Sequence, residues 1–381
     1  MNPKAGGPVE GIRQWSSLLE ERGHHTEIAT FDDPDHFGFE SSEVKIYGLG
    51  PVKGFYGFTK NWVNWLALNC HRFDLVVIHG IWQYHSFGAW RVLKKNRVPY
   101  VVYTHGMLDP WFKRTFRLKH LKKWLYWPWA DYRVLRDASA VIFTTEQERR
   151  LARESFWFYQ AKEKVLPYGI RDPKRKEFSV RENQNELKVD DEDVFQLLFL
   201  ARLHPKKNIE LLLEAFAKLI QEMSFLKLTI VGSEYKEGYQ RELAQGAHTV
   251  LGISADRIRW VGFAQGEEKA QLFQETNLYV LPSHQENFGI SVVEALAYGR
   301  PVVISSAVNL AEEIEQENVG GVFDGTLSSF VLTLKHWIAY EKKNRNAVRE
   351  RCRTVFLKRY ELSQGVEIWE KTMKSIIYEK K

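Results

Sequence analysis

Short apolar runs alternate along the chain with stretches in which apolar positions recur every three or four residues. The first pattern suits strands buried on both faces, and the second suits helices with one apolar face. In the first half, strands are expected over 26–31, 44–47, 75–79, 100–104, 140–144 and 165–166, and helices over 9–22, 59–69, 87–95 and 146–154. In the second half, strands are expected over 196–200, 227–231, 258–261, 278–281 and 302–305, and helices over 210–223, 239–251, 269–275, 291–298 and 328–340. This alternation predicts an α/β protein with parallel sheets.

The pattern weakens over 171–193, which is charged and poor in apolar residues and reads as a linker and loop on the surface. A boundary near 168–173 then divides 381 residues into two domains. The closing segment carries Val366, Ile368, Trp369, Met373, Ile376 and Ile377 at helical spacing. The first residues, Met-Asn-Pro-Lys-Ala-Gly-Gly-Pro, lack the apolar core of a secretory signal. No run of apolar residues is long enough to span a bilayer. Cys70 and Cys352 are expected to be free, buried thiols, and a cytoplasmic location is expected.

A net charge of +6 admits anionic ligands or an anionic surface. It is concentrated over 111–127, where six Lys and Arg stand among tryptophans with no acid; Pro128 and Trp129 follow. Two readings stay open. Tryptophan and tyrosine beside cations suit a membrane headgroup layer, so the segment from Trp111 to Trp129 is a candidate for peripheral membrane contact. The other reading is a partly solvated helical region with an aromatic core face. No nucleic-acid module accompanies it, and no nucleic-acid partner is expected.

Candidate chemistry lies after two apolar runs of the second half. The run Ser283-His-Gln-Glu286-Asn287-Phe288-Gly289-Ile290 leads from a strand pattern into a helix that carries Glu294. Open α/β sheets bind ligands at the carboxyl ends of their strands, and a helix N-terminus offers unpaired N–H groups to an anion. Two acids beside such an anion site suit hydroxyl donors, because carboxylates only accept. Earlier, Phe199-Leu-Ala-Arg202-Leu-His-Pro-Lys-Lys207-Asn208 also follows an apolar run and opens a helix. An Arg and a Lys in that turn suit a diphosphate.

These two segments resemble the Glu-x7-Glu motif and the Arg-Leu-x3-Lys-Gly signature of retaining GT-B glycosyltransferases of family 4, with Asn208 where glycine is usual. The resemblance covers nearly the whole chain. It implies two Rossmann-like domains facing across a cleft: an acceptor domain over 1–168, a nucleotide-sugar donor domain over 169–358, and a helix over 359–381 that packs back on the first. It implies that Glu286 meets the hydroxyls of the donor sugar and Glu294 those of the ribose. Arg202 and Lys207 would bind the diphosphate, while Asn287, Phe288, Gly289 and Ile290 shape the loop around it. His105, which ends the 100–104 strand, would contact the transferred sugar, and Gly6 and Gly7 would let the donor approach the backbone. His79 ends its strand in the same manner. The activity implied is transfer of a sugar from a nucleotide-diphosphate sugar to a saccharide or lipid-linked acceptor, in surface polysaccharide or glycolipid synthesis, with no metal and no cofactor. Asp33-Pro-Asp35 and Asp191-Glu-Asp193 mimic the metal motif of GT-A enzymes but read as surface turns.

Two further features depart from the family pattern. Tyr168 replaces Asn in the Pro-Asn-Gly hinge. The turn Ala5-Gly6-Gly7-Pro8 is preceded by only four residues, so the first strand of the N-terminal domain is expected to be missing. Burying its three or four large side chains would contribute about 1.5–3 kcal/mol each. That rivals a domain's whole stability of about 5–15 kcal/mol. A poorly stable first domain, or an inactive, purely nucleotide-sugar-binding chain, is therefore the alternative. A dehydrogenase is disfavoured, because Gly48-Leu-Gly50-Pro-Val-Lys-Gly54 misses the Gly-x-Gly-x-x-Gly spacing.

Overall fold

The fold is known from a computed structural model, which describes residues 7–33, 44–115, 117–174 and 194–379. The chain divides into two compact units, Met1–Gly169 with Leu362–Lys381, and Ile170–Glu361. Gly6, Asp35 and Asp191 to Asp193 lie outside the described residues.

Elements are numbered along the chain. The first unit holds α1 (Gly7–Glu21), β1 (Glu27–Thr30), β2 (Lys45–Gly48), α2 (Lys60–Asn69), β3 (Val76–His79), α3 (Tyr84–Asn96) and β4 (Tyr100–Tyr103). It continues with α4 (Trp111–Thr115), α5 (Arg117–Tyr126), α6 (Asp131–Asp137), β5 (Ala140–Phe143), α7 (Glu146–Arg153), β6 (Glu163–Val165) and the distant α14 (Leu362–Tyr378). Strands β3 to β6 form a parallel sheet in sequence order, with Val76 opposite Tyr100, Val101 opposite Ala140 and Val141 opposite Glu163. β4 and β5 are buried along their whole length, as their unbroken apolar runs predict. β1 and β2 make a separate parallel pair whose residues are mostly half-buried. β1 and β3 belong to different sheets.

The apolar stripe of α14 covers one face of the larger sheet. Met373, Ile376 and Trp369 pack on Val101, Tyr103, Ala140 and Ile142. The edge of this contact is polar. Arg22 and His24 converge on Glu370, at 2.8 and 2.9 Å, and the guanidinium holds that carboxyl down at about 2. Tyr168 stacks on Trp15 at 5.9 Å, with its ring where a side chain on Gly11 would stand. A tyrosine at this position fills space in the first unit, which is what an asparagine could not do.

The second unit holds β7 (Phe195–Leu200), α8 (Ile209–Glu222), β8 (Leu226–Val231), α9 (Tyr239–Thr249), β9 (Ile258–Val261), α10 (Gly266–Gln274), β10 (Leu278–Leu281), α11 (Ile290–Ala297), β11 (Val302–Ser305), α12 (Ala311–Gln316), β12 (Gly320–Phe323) and α13 (Leu327–Arg359). Its six-stranded parallel sheet runs β12-β11-β10-β7-β8-β9. From β7 the chain winds outward to β9, then returns beside β7 with β10 and winds outward the other way. The winding therefore reverses between β7 and β10, the switch point at which such sheets leave a crevice for ligands.

The expected strands are all present within a residue or two. The differences lie elsewhere. β12 was not expected, because Gly320-Gly321 reads as a turn. Both glycines are needed for close packing: a Cβ on Gly320 would lie 2.1 Å from the Val302 carbonyl, and one on Gly321 would lie 2.4 Å from the Trp337 ring. α13 runs well past the expected 340, because Val348, Cys352, Val355 and Phe356 keep a buried stripe beneath a strongly charged surface. It bends at Asn344. The short α4, α5, α6 and α12 were not expected as separate helices. Cys70 and Cys352 are buried and free.

Candidate functional site

In the second unit the loops after β7 and β10 flank the switch point. The first is a single tight turn, Pro205–Lys207, in which the His204 ring nitrogen accepts from the Lys206 amide at 3.0 Å. Asn208 then adopts a left-handed conformation (φ 56°) before α8 begins. Glycine is the usual solution there, and Asn tolerates that region better than most residues. The departure from the family pattern thus keeps the backbone shape. Burial, then the charges of Arg202, Lys206 and Lys207, push the His204 imidazole below its usual range. The turn is accordingly electropositive. Arg202 is exposed, and no carboxylate among the described residues engages it.

The second loop docks on the first and on the loop that follows β11. The His284 amide donates to the Lys206 carbonyl at 2.9 Å. The Glu286 amide donates to Ala307, at 3.1 Å, and its carbonyl accepts from Asn309, also at 3.1 Å. Asn309 reaches Asn287 with its side chain at 3.3 Å. These bonds fix the Glu286 backbone, and its carboxylate pairs with the Lys207 ammonium. Both partners are about four-fifths buried, at 20% and 18% side-chain exposure. Gly289 (φ 71°) ends the loop and begins α11, in a conformation that a side chain would strain. Phe288 is buried with its ring 6.1 Å from Tyr360.

From α11 onward the site is held by a buried tyrosine. The Tyr279 hydroxyl lies 2.7 Å from Ser291 Oγ and donates to the Leu200 carbonyl at 3.2 Å. It ties the end of β7 to the first turn of α11. Burial keeps it protonated, and Glu286 and Glu294 nearby act in the same direction. Glu294 pairs with Lys269 of α10. The structure thus brings Lys207, Glu286, Asn287, Gly289 and Ile290 to the switch point between β7 and β10. Glu294 sits one turn into α11, and Arg202 stands at the crevice's exposed rim.

The first unit presents a histidine pair at the ends of β3 and β4. His79 Nδ1 lies 3.0 Å from His105 Nε2, so one imidazole donates and the other accepts. Burial drives both below the ordinary histidine range, so both are neutral near pH 7; for His79 the neighbouring rings add to this. His105 itself has φ 48° and is followed by Gly106 at 71°. Tyr103 stacks against both rings, at 5.2 and 5.8 Å. Gly7 is the first residue of α1. Among the described residues no group of three or more His, Cys, Asp or Glu is placed to hold a metal.

Residues 180–354 match the family of glycosyl transferases group 1, and residues 6–169 match the glycosyl transferase 4-like domain. The chain belongs to the group 1 glycosyltransferases. It is 24% identical to the alpha-monoglucosyldiacylglycerol synthase of Streptococcus pneumoniae, over 92% of this chain and 79% of that one. Its fold matches HepE of Anabaena, solved with UDP and glucose, with a TM-score of 0.74 and 20% identity over 98% of each chain. It also matches a sucrose-phosphate synthase of Thermosynechococcus elongatus, with a TM-score of 0.77 and 18% identity over 98% of this chain and 94% of the other.

In this glycosyltransferase two side chains, one in each unit, went unnoticed in the sequence. Lys269 belongs to α10 and Glu148 to α7, and neither shares a motif with the residue it contacts. Only the folded chain brings them to the strand ends. Side chains of the aromatic segment differ in burial. Trp127 is a core residue, whereas Trp129 is 69% exposed, beside Leu125 at 74%. Trp157 and Phe158, outside the expected segment, join them at 71% and 83%. Trp157 packs on Trp124 at 5.6 Å, and Arg133 lies 5.6 Å from the Trp129 ring. Among the described residues no helix is long and apolar enough to cross a membrane.

Proposed function

We propose that this glycosyltransferase takes a nucleotide-diphosphate sugar as donor and transfers the sugar, with retention and without a metal, to a saccharide or lipid-linked acceptor. The observation that carries the reading is the convergence of Lys207, Glu286 and the first turn of α11 at the switch point between β7 and β10. Lys207 keeps donors to spare after pairing with Glu286, because an ammonium has three. With Arg202 and the N-terminal amides of α11 it balances the charge of the departing diphosphate, which grows as the glycosidic bond breaks. Glu286 has lone pairs left for sugar hydroxyls, and Glu294 for the ribose, the roles that the family resemblance implies. His105 contributes a neutral imidazole for the transferred sugar. Among the described residues no side chain stands out as a covalent nucleophile, so in this reading the acceptor hydroxyl attacks from the face that the diphosphate leaves and gives its proton to the leaving phosphate oxygen.

The pneumococcal relative makes a glucosyl lipid by its name, and HepE was solved with UDP-glucose. The second supports a nucleotide-sugar donor, and the first supports a lipid acceptor in glycolipid or surface polysaccharide synthesis. The exposed group of Leu125, Trp129, Trp157 and Phe158, with Arg133 at its edge, suits peripheral contact with the cytoplasmic face of a membrane.

Turnover of uridine and guanosine diphosphate sugars, with the product's anomeric proton followed by NMR, tests the reading. An α-linked product from an α-donor, unaffected by EDTA, is expected. Lys207→Ala should lower kcat by about 10²–10³-fold. Inverted product, EDTA-sensitive turnover, or near-wild-type activity in the variant would each contradict the corresponding part.

A further inference from the structure

The turn that carries His105 is held by a carboxylate that the reaction itself does not use. Glu148 lies in the first turn of α7, whose start is capped by Thr145: its Oγ1 accepts from the Glu148 amide at 3.0 Å. The Glu148 side chain points inward and is 3% exposed. Its Oε1 accepts from Thr104 Oγ1 at 2.8 Å and from the Gly106 amide at 2.6 Å. Its Oε2 accepts from the Thr144 amide and from Thr144 Oγ1, both at 2.8 Å. The two residues gripped by Oε1 are those on either side of His105.

That grip has a mechanical consequence. Thr104 follows β4 directly, and the next two residues are left-handed, His105 at 48° and Gly106 at 71°. A histidine resists that conformation unless its surroundings impose it. Bonds to the residue before and the residue after fix the turn from both sides. The other oxygen anchors the same carboxylate to the end of β5. A buried carboxylate can act as such a clamp because four donors replace its lost hydration.

We propose that Glu148 is a positioning residue, which holds the Thr104–Gly106 turn left-handed and thereby aims the His105 imidazole at His79 Nδ1 and toward substrate. The proposal rests on the reading of His105 as a group that meets the transferred sugar. Glutamine is nearly isosteric, but its amide nitrogen cannot accept, so one pair of donors loses its partner. Misplacing a reacting group by an ångström costs about 10²-fold in rate.

The test combines kinetics with histidine NMR on the full chain. Glu148→Gln should lower kcat by about 10²-fold while KM for the nucleotide sugar stays within about twofold, because the donor contacts lie on other loops. The ¹⁵N and ¹H signals of the His105 ring should move. A second pair of variants guards against simple misfolding. Thr104→Val removes one donor and should cost about tenfold, and Thr104→Ser restores the hydroxyl and should recover wild-type turnover. A Glu148→Gln protein with wild-type kcat and unmoved His105 signals would overturn the proposal. So would equal losses in Thr104→Val and Thr104→Ser. Wild-type turnover in His105→Ala would instead defeat the reading of His105, and the NMR shift would still report whether Glu148 holds the turn.

Discussion

Single residues in this chain often serve two demands at once, and the sequence discloses only one. Glu286 and Lys207 are legible as separate motif positions, yet their ion pair could not be read from residues so far apart. Asn208 and Tyr168 depart from the family pattern. In the structure the first keeps the left-handed turn, and the second fills the space above Gly11. Asp131 gave no signal in the sequence. It is fully buried on α6, accepts from the Trp82 amide and Ser86 Oγ at 3.3 Å, and burial pushes its carboxyl up to about 7. The folded chain therefore retains a proton that the unfolded chain releases near 3.8. That contribution to stability is complete below the unfolded value and is lost as pH rises through about 7. Asp131→Asn does not titrate. Its stability relative to wild type should grow by roughly 3 kcal/mol between pH 5 and pH 8. Any fixed cost of the amide cancels from that trend. Urea unfolding at the two pH values measures it, and a difference that does not change with pH would refute the assignment.

Elements were more legible than the contacts between them. Central strands such as β4, β5, β10 and β11 are short apolar runs buried on both faces, so composition alone marks them. β12 escaped because a strand made of Gly-Gly-Val-Phe has the local chemistry of a turn. Its glycines answer to a tertiary demand: β12 lies against β11 on one side and against Trp337 of α13 on the other. Gly321→Ala should therefore destabilise the protein by about 1–3 kcal/mol, although alanine is an ordinary strand residue. Gly238→Ala is the contrasting case. No atom lies within 4 Å of its new Cβ, and only its φ of 82° resists the change. Paired with Trp337→Phe, the Gly321→Ala cost should fall, because the smaller ring makes room. Thermal or urea unfolding of wild type, the Gly321→Ala and Trp337→Phe variants and the double variant decides this, and an additive double variant would contradict the packing account. The second half of α13 escaped for the opposite reason, since its charges conceal a regular apolar stripe.

At the scale of the whole molecule, the sequence supplied the α/β class, two parallel-sheet units and the family, because two motifs recur in order along a chain of matching length. A missing first strand, and with it a weakened first unit, was expected. In the structure β1 and β2 stand as a pair apart from β3 to β6, and a large core around Leu66, Ile78, Trp127 and Phe143 packs within that unit. What the sequence could not convey is the reversal of winding between β7 and β10. That reversal places two loops, far apart in the chain, beside one crevice. The account stands on this crevice being a nucleotide-diphosphate site gripped by Lys207. Thermal melting of wild type and Lys207→Ala, with uridine and guanosine diphosphates each supplied in large excess, tests it most directly. Near 100 times the dissociation constant, a ligand adds about 2.7 kcal/mol, which moves a melting point by several degrees. The account predicts such a rise with one of the two nucleotides in wild type, and little or none in the variant. A cooperative melt that neither nucleotide moves, or an equal rise in both proteins, would contradict it.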